Sequence, residues 1–191
     1  AGIRASEAEA RAALAELEVG LLDSVVGISA SGRTPYVAGA LRAARERGAL
    51  AISVANNREA EISAEADVAI EVVSGPELVA GSTRLNAGTA QKLVLNALST
   101  LAMVQLGKVY GNLMVDVQST NEKLHARAER IVMHATGATA EVASDALRDA
   151  DGSVKVAVGM IAGSADAAAV REALAATGGR LREALSALRA D

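Results

Sequence analysis

Hydroxyl-bearing side chains are concentrated in one short segment between a predicted strand and a predicted helix. Residues 27–34 read Gly-Ile-Ser-Ala-Ser-Gly-Arg-Thr, and Pro35 follows at the first helical position. The N–H groups at the amino end of a helix, together with the helix dipole, attract anions, and nearby hydroxyls add further donors. A glycine there lets an anion approach the backbone. The sequence predicts a phosphate-binding loop, with a well-capped turn as the alternative. Its candidate residues are Ser29, Ser31, Gly32 and Thr34.

A second group of polar side chains precedes the longest predicted helix. Ser82 and Thr83 can donate hydrogen bonds from their hydroxyls, and Arg84 offers a guanidinium that binds anions through two parallel bonds. A Ser-Thr-Arg loop is also an ordinary helix cap. Because both loops follow strands of one predicted parallel sheet, we expect them at the same edge, where ligands of open α/β sheets bind.

The remaining chemistry-bearing residues fit structural roles better. Glu77, Asp116 and Glu122 lie near glycine-rich turns, where a carboxylate usually caps a helix or forms a surface ion pair. His125 and His134 lack a third ligand at metal-like spacing, so solvated histidines are predicted rather than a metal site. No dinucleotide fingerprint or Walker motif follows any predicted strand. With zero cysteines, thiol chemistry is excluded.

The composition excludes several classes of partner. The 191 residues carry a net charge of −4 and a pI near 5.3, which disfavours binding to the phosphate backbone of nucleic acids. Aromatic residues make up 1% of the chain, so base-stacking platforms are excluded. No apolar run approaches the roughly 20 residues that cross a bilayer. We expect no nucleic-acid or membrane partner, and a cytoplasmic location.

Hydrophobic patterning predicts alternating strands and helices. Helices are predicted over 6–17, 36–47, 59–66 and 85–106, and strands over 24–29, 50–54 and 68–73. Continuous apolar runs are typical of strands buried on both faces of a parallel sheet. Residues 1–120 are predicted to form a three-layer α/β domain, and 121–191 a small all-α appendage. Three strands are few for such a sheet, so we expect strands to be missing from this stretch.

Two segments resemble a known family. Residues 27–37, Gly-Ile-Ser-Ala-Ser-Gly-Arg-Thr-Pro-Tyr-Val, resemble the phosphosugar-binding loop of the sugar isomerase (SIS) domain. The Arg-Thr-Pro-Tyr form is similar to that of N-acetylmuramic acid 6-phosphate etherases. Residues 81–100 resemble the long signature of that family, which the glucokinase regulatory protein shares. The likeness continues through 107–116, 120–124, 135–137 and 178–185.

The resemblance implies a function. Members of this family are homodimeric cytoplasmic lyases of cell-wall sugar recycling that use no metal, nucleotide or other cofactor. They release D-lactate from N-acetylmuramic acid 6-phosphate by elimination across C2–C3, and water addition then gives N-acetylglucosamine 6-phosphate. Carried over to the matching positions, the first loop would bind phosphate and the second would line the sugar site. The positions are Ser29, Ser31, Gly32 and Thr34 in the first loop, and Ser82, Thr83 and Arg84 in the second.

Two departures from the family pattern bear on activity. Asn86 stands where the family usually has lysine. The two catalytic glutamates of the family lie upstream of Ser29, and ungapped matching places Arg4, which cannot act as a base, at one of these positions. We therefore expect this chain alone to bind the sugar without turning it over, as the C-terminal part of an etherase or a shortened relative. The alternatives are a non-catalytic sugar-phosphate-binding or regulatory SIS protein and a ketose/aldose isomerase.

Overall fold

The computed structural model describes residues 7–117 and 122–189 of the chain. Contacts divide the chain into two compact units, Ala1–Ala97 and Leu98–Asp191, and the division falls inside a long helix. The domain boundary predicted after residue 120 rests on the change from mixed to all-helical sequence, and it stays a prediction. Ser6, the first residue of the helix predicted over 6–17, lies outside the described residues.

The first unit contains a three-stranded parallel sheet with helices, so the predicted α/β fold is confirmed. Its elements are α1 (Glu7–Glu16), β1 (Ser24–Ser29), α2 (Pro35–Glu46), β2 (Leu50–Ala55), a 3-10 helix (Glu61–Glu65), β3 (Val68–Glu71) and the first part of α3 (Asn86–Gln105). The strand order is β1-β2-β3. The short helix predicted over 59–66 is a 3-10 helix, and the third strand is two residues shorter than predicted.

The strands end level with one another. Ser29 of β1 pairs with Ala55 of β2, and Ala55 pairs with Glu71 of β3, so the last residues of the three strands share one row. Crossover connections place the carboxyl ends of parallel strands at the same edge of the sheet. The segment that follows each strand therefore starts from the same edge.

Close packing fixes α2 against the sheet. Leu41 of α2 is fully buried, and a Cβ added to Gly27 of β1 would lie 2.8 Å from side-chain atoms of Leu41 and Val37. Cores packed this closely do not accommodate a larger residue without movement. Ala51 and Ala55 of β2 belong to the same core. The first turn of α2 is thereby held at a fixed place beside the end of β1.

The second unit is mainly helical, as predicted for the C-terminal part of the chain. After the rest of α3 it contains β4 (Val109–Tyr110), β5 (Leu113–Met114), α4 (Glu122–Thr136), α5 (Ala140–Asp149), α6 (Val154–Gly163), α7 (Ala167–Ala176) and α8 (Leu181–Leu188). Thr139, Ser153 and Asp166 cap α5, α6 and α7 with side-chain oxygens that accept backbone N–H bonds.

The antiparallel hairpin of β4 and β5 was not predicted. Strands of two residues are too short to show an alternating hydrophobic pattern. Within residues 7–117 and 122–189, no helix combines the length and the apolar character that crossing a bilayer requires.

Candidate functional site

Three hydroxyls of the first predicted loop converge at the end of β1. Ser29 is 6% exposed, and its Oγ lies 2.8 Å from Thr34 Oγ1 and 3.4 Å from Ser31 Oγ. The backbone N–H of Gly32 donates to the Ser29 Oγ at 3.1 Å. Ser31 and Thr34 are exposed to solvent. The loop therefore presents two accessible hydroxyls, held in place by a third that is buried.

Gly32 is required by the loop for a reason the sequence did not show. Its φ is +71°, a left-handed conformation, and a Cβ added there would lie 2.4 Å from the Cβ of Ala60. Its carbonyl accepts a bond from the N–H of Ile62 at 3.0 Å. The predicted role of Gly32 was to admit an anion, whereas the structure places it against the segment that follows β2. Gly32 therefore packs the first loop against the segment that follows β2.

The amino end of α2 has free donors. Thr34 is the N-cap and Pro35 the first helical residue, as the sequence predicted. The Thr34 hydroxyl bonds to Ser29 instead of to the helix. Among the described residues, no acceptor bonds to the backbone N–H groups of Tyr36 and Val37. These two N–H groups, the helix dipole and the neighbouring hydroxyls together form an environment that favours an anion.

The amino end of α3 is different, because a carboxylate already occupies it. The Glu77 carboxylate accepts the backbone N–H groups of Asn86 and Ala87, each at 3.0 Å. The side chain of Asn86 donates to the carbonyl of Pro76 at 2.7 Å. The predicted capping role of Glu77 therefore agrees with the structure. The loop before α3 offers side chains to a ligand, but its first helical N–H groups are in use.

The side chains of that second loop differ in exposure. Ser82 is half-buried, and Thr83 and Arg84 are exposed. The Ser82 Oγ accepts a long bond of 3.5 Å from the N–H of Arg84. The carbonyl of Thr83 accepts the N–H of Gly88 at 3.0 Å, which ties the loop to the helix.

Asn56, which the sequence analysis did not single out, connects the first loop with the end of β3 and with α3. It is 7% exposed and follows β2 directly. Its N–H donates to the carbonyl of Ala30 at 3.2 Å, and its side-chain amide donates to Val72 O at 3.1 Å and accepts from Gln91 Nε2 at 2.8 Å. In the sequence, an asparagine directly after a buried strand is the feature that could have indicated this role. The first loop, the end of β3 and α3 are thus held in one network.

Glu71 supports the same region from the end of β3. Its carboxylate accepts the Ser63 hydroxyl at 2.7 Å and the N–H groups of Ala60 and Glu59 at 3.0 and 2.9 Å. These bonds, that of Ser63 first, hold the pKa of the Glu71 carboxyl below its ordinary value. Because Ala60 packs against Gly32, Glu71 indirectly fixes the first loop.

The other residues singled out from the sequence lie elsewhere. Asp116 forms ion pairs with Lys108 and, at 3.8 Å, with Lys155. Burial lowers the pKa of the Lys155 ammonium, and the nearby Asp116 carboxylate raises it in opposition. His125 and His134 are exposed on α4. In the part of the chain that the structure describes, no three His, Cys, Asp or Glu side chains are grouped to hold a metal. Arg4, residues 120 and 121 of the family-like segments, and the side chains of Glu122 and Lys123 lie outside the part of the chain that the structure describes.

The fold and the first loop define the class of protein. A family model described as SIS domain matches residues 8–101, a range that contains the parallel sheet and both polar loops. The chain therefore contains a SIS domain, as the resemblance of the first loop predicted.

Curated relatives narrow the class further. N-acetylmuramic acid 6-phosphate etherase of Streptomyces coelicolor is 54% identical over 178 residues, which are 93% of this chain and 57% of that protein. The enzyme so named in Mycolicibacterium smegmatis is 55% identical over 165 residues, 86% of this chain and 55% of the relative. The etherase of Geobacillus thermodenitrificans is 52% identical over 186 residues, which are 96% of this chain and 63% of that protein.

This chain is thus similar to N-acetylmuramic acid 6-phosphate etherases over most of its own length. It spans 55–63% of the length of these three relatives. The family resemblance stated from the residues of the two loops is thereby confirmed.

Proposed function

We propose that this chain provides the sugar-phosphate site of a lyase that acts on N-acetylmuramic acid 6-phosphate. The reaction would release D-lactate and give N-acetylglucosamine 6-phosphate, as in the recycling of cell-wall sugars. The observation that carries the proposal is the first loop, where the hydroxyls converge beside the backbone N–H groups of Tyr36 and Val37, which no described residue accepts. The names of the relatives support this lyase over a regulatory sugar-phosphate binder or a sugar-phosphate isomerase.

The phosphate would bind at the amino end of α2. Tyr36 and Val37 would donate their backbone N–H groups, and Ser31 and Thr34 their hydroxyls. Each hydrogen bond to a charged group is worth about 1.5–3 kcal/mol, and the helix dipole adds about 0.3–1 kcal/mol. Ser29 would act through the other two hydroxyls, because it is buried beneath them. The sugar ring would extend toward Ser82, Thr83 and Arg84.

The chemistry requires carboxylates, and among the described residues those that end β3 and cap α3 are already engaged. Elimination of lactate needs one group to remove the C2 proton and another to assist the leaving group. Glu71 and Glu77 lie at this edge of the sheet, but backbone N–H groups engage both carboxylates. The bonds to Glu71 also lower its pKa, which makes it a weaker base. We therefore expect the isolated 191-residue chain to bind the phosphosugar without releasing lactate.

We also propose that the chain forms a homodimer. The family resemblance implies a homodimer in the cytoplasm, acting without metal or nucleotide. Leu93, Leu101 and Leu106, on or just after α3, are 60%, 60% and 59% exposed. Large apolar side chains grouped along one segment favour association with another protein surface. Sedimentation of the purified chain at several concentrations would test this part of the proposal separately.

Calorimetry tests the phosphate site. We expect N-acetylglucosamine 6-phosphate to bind and N-acetylglucosamine, which lacks the phosphate, to bind far more weakly. Ser31→Ala should weaken binding of the phosphosugar several-fold, whereas Ser186→Ala on α8 should not change it. Equal affinity for the two sugars, or no effect of Ser31→Ala, would contradict the proposed phosphate site.

A further inference from the structure

Arg84 is a cation without a counter-charge at the second loop. Its side chain is exposed, and within residues 7–117 and 122–189 no carboxylate lies within ion-pairing distance of it. It directly precedes Leu85 and the first turn of α3. Of the other arginines in the described part of the first unit, Arg42 contacts Glu65 and Glu7, and Arg45 contacts Asp67, whereas Arg33, Arg47 and Arg58 form no ion pair within that part. An exposed arginine beside a candidate ligand site is available to a ligand.

Glu77 determines which donors an arriving anion can use at this loop. Its carboxylate takes the N–H groups of Asn86 and Ala87, so the amino end of α3 is already neutralised. A second anion would meet a negative charge there and no free N–H of the first turn. The guanidinium of Arg84 is the group that can still bind it. A planar guanidinium matches a planar carboxylate through two parallel hydrogen bonds.

The first loop is tied to α3, the helix that follows the second loop. Asn56 bonds to Ala30 in the first loop and to Gln91 of α3, at 3.2 and 2.8 Å. Gln91 lies five residues after Asn86, which is about 7.5 Å along the helix axis. The first loop and the helix that Arg84 precedes are thus joined through Asn56, which favours one ligand that contacts both loops.

We propose that Arg84 binds the carboxylate of the lactyl ether, while the phosphate binds at the amino end of α2. The inference rests on the proposed function, because N-acetylmuramic acid 6-phosphate, the substrate proposed above, carries both a phosphate and a carboxylate. Arg84 then distinguishes the substrate from the lactate-free product. Loss of the lactyl group removes the partner of Arg84, so the product is held by its phosphate and ring alone.

Calorimetry with two ligands and four proteins tests this assignment. The ligands are N-acetylmuramic acid 6-phosphate and N-acetylglucosamine 6-phosphate, and the four proteins are the wild-type chain, Arg84→Gln, Arg84→Lys and Ser31→Ala; Arg127→Gln is added as a control variant. We expect Arg84→Gln to weaken binding of the muramic acid phosphate about 10- to 100-fold, the range for a lost charged hydrogen bond. Its affinity for the glucosamine phosphate should fall by a much smaller factor, and this retained binding also shows that the variant is folded. The affinity of Arg84→Lys for the muramic acid phosphate should lie between those of Arg84→Gln and wild type, because lysine keeps the positive charge but cannot form the two parallel hydrogen bonds of a guanidinium.

The outcomes separate the two proposals. Ser31→Ala should weaken both ligands, and Arg127→Gln, an exposed arginine on α4, should change neither. If Arg84→Gln weakens both ligands equally or neither, the lactyl assignment is wrong while the phosphate site stands. If the wild-type chain binds neither ligand, the proposed function itself is wrong, and this inference falls with it.

Discussion

Replacing Gly32 by alanine tests how the first loop is held. Two costs follow from the structure. The φ of +71° places alanine in the left-handed region, at about 1–2 kcal/mol. The new Cβ would also lie 2.4 Å from the Cβ of Ala60, and such overpacking costs about 1–3 kcal/mol. We expect Gly32→Ala to lower the free energy of unfolding by about 2–5 kcal/mol.

Gly75 is the matched control. Its φ is +74°, nearly that of Gly32, but nothing lies within 4 Å of a Cβ added there. Gly75→Ala should therefore show only the backbone cost, about 1–2 kcal/mol. The difference between the two variants isolates the contact with Ala60. In addition, Ala60→Gly should recover part of the loss caused by Gly32→Ala, because it removes the opposing Cβ.

Urea denaturation of the four proteins and the double variant gives these values directly. The interaction free energy from the double-mutant cycle should be at least about 0.5 kcal/mol in favour of the pair of substitutions. Equal destabilisation by Gly32→Ala and Gly75→Ala, together with additive effects in the cycle, would show that the close approach of Gly32 to Ala60 is not what holds the loop.

Three further predictions concern polar groups of the first unit. Within the described residues, the buried Ser53 Oγ has no hydrogen-bond partner. Ser53→Ala should therefore raise the free energy of unfolding by about 1 kcal/mol in urea denaturation, and a loss of stability would contradict this. Glu77→Ala removes the cap of α3 and should cost about 0.5–2 kcal/mol in the same assay, and a neutral result would exclude a capping role. The folded state lowers the pKa of the Glu71 carboxyl. Glu71 therefore adds to the free energy of unfolding above the ordinary glutamate pKa of 4.5, and this stabilisation is lost as the pH falls below that value. Glu71→Gln should flatten the acid limb of the stability-against-pH curve, and unchanged limbs would refute the linkage.

Local patterns predicted the elements that local forces determine. The apolar run Ser24–Ser29 gave the bounds of β1, and Thr34 before Pro35 gave the start of α2. Both signals are local in sequence. A continuous apolar run is typical of a buried strand, and the fixed φ of proline suits the first residue of a helix. The parallel pairing of the strands followed from the alternation of strands and helices along the chain.

Contacts between distant residues could not be predicted in this way. Asn56 and Gln91 are 35 residues apart, and their hydrogen bond depends on where β2 ends relative to α3. The close approach of Gly32 to Ala60 likewise arises only when the segment after β2 folds beneath the first loop. Sequence reasoning identified the hydroxyls of the candidate site, whereas the residues that position them are set by tertiary packing.

An NMR titration of the ¹⁵N-labelled chain with N-acetylmuramic acid 6-phosphate tests the central claim most directly. A phosphate bound at the amino end of α2 would accept hydrogen bonds from Tyr36 and Val37, so their amide signals should shift most. The amides of Asn86 and Ala87, already bonded to Glu77, should move much less. The largest shifts at Asn86 and Ala87, with those of Tyr36 and Val37 unmoved, would contradict the account.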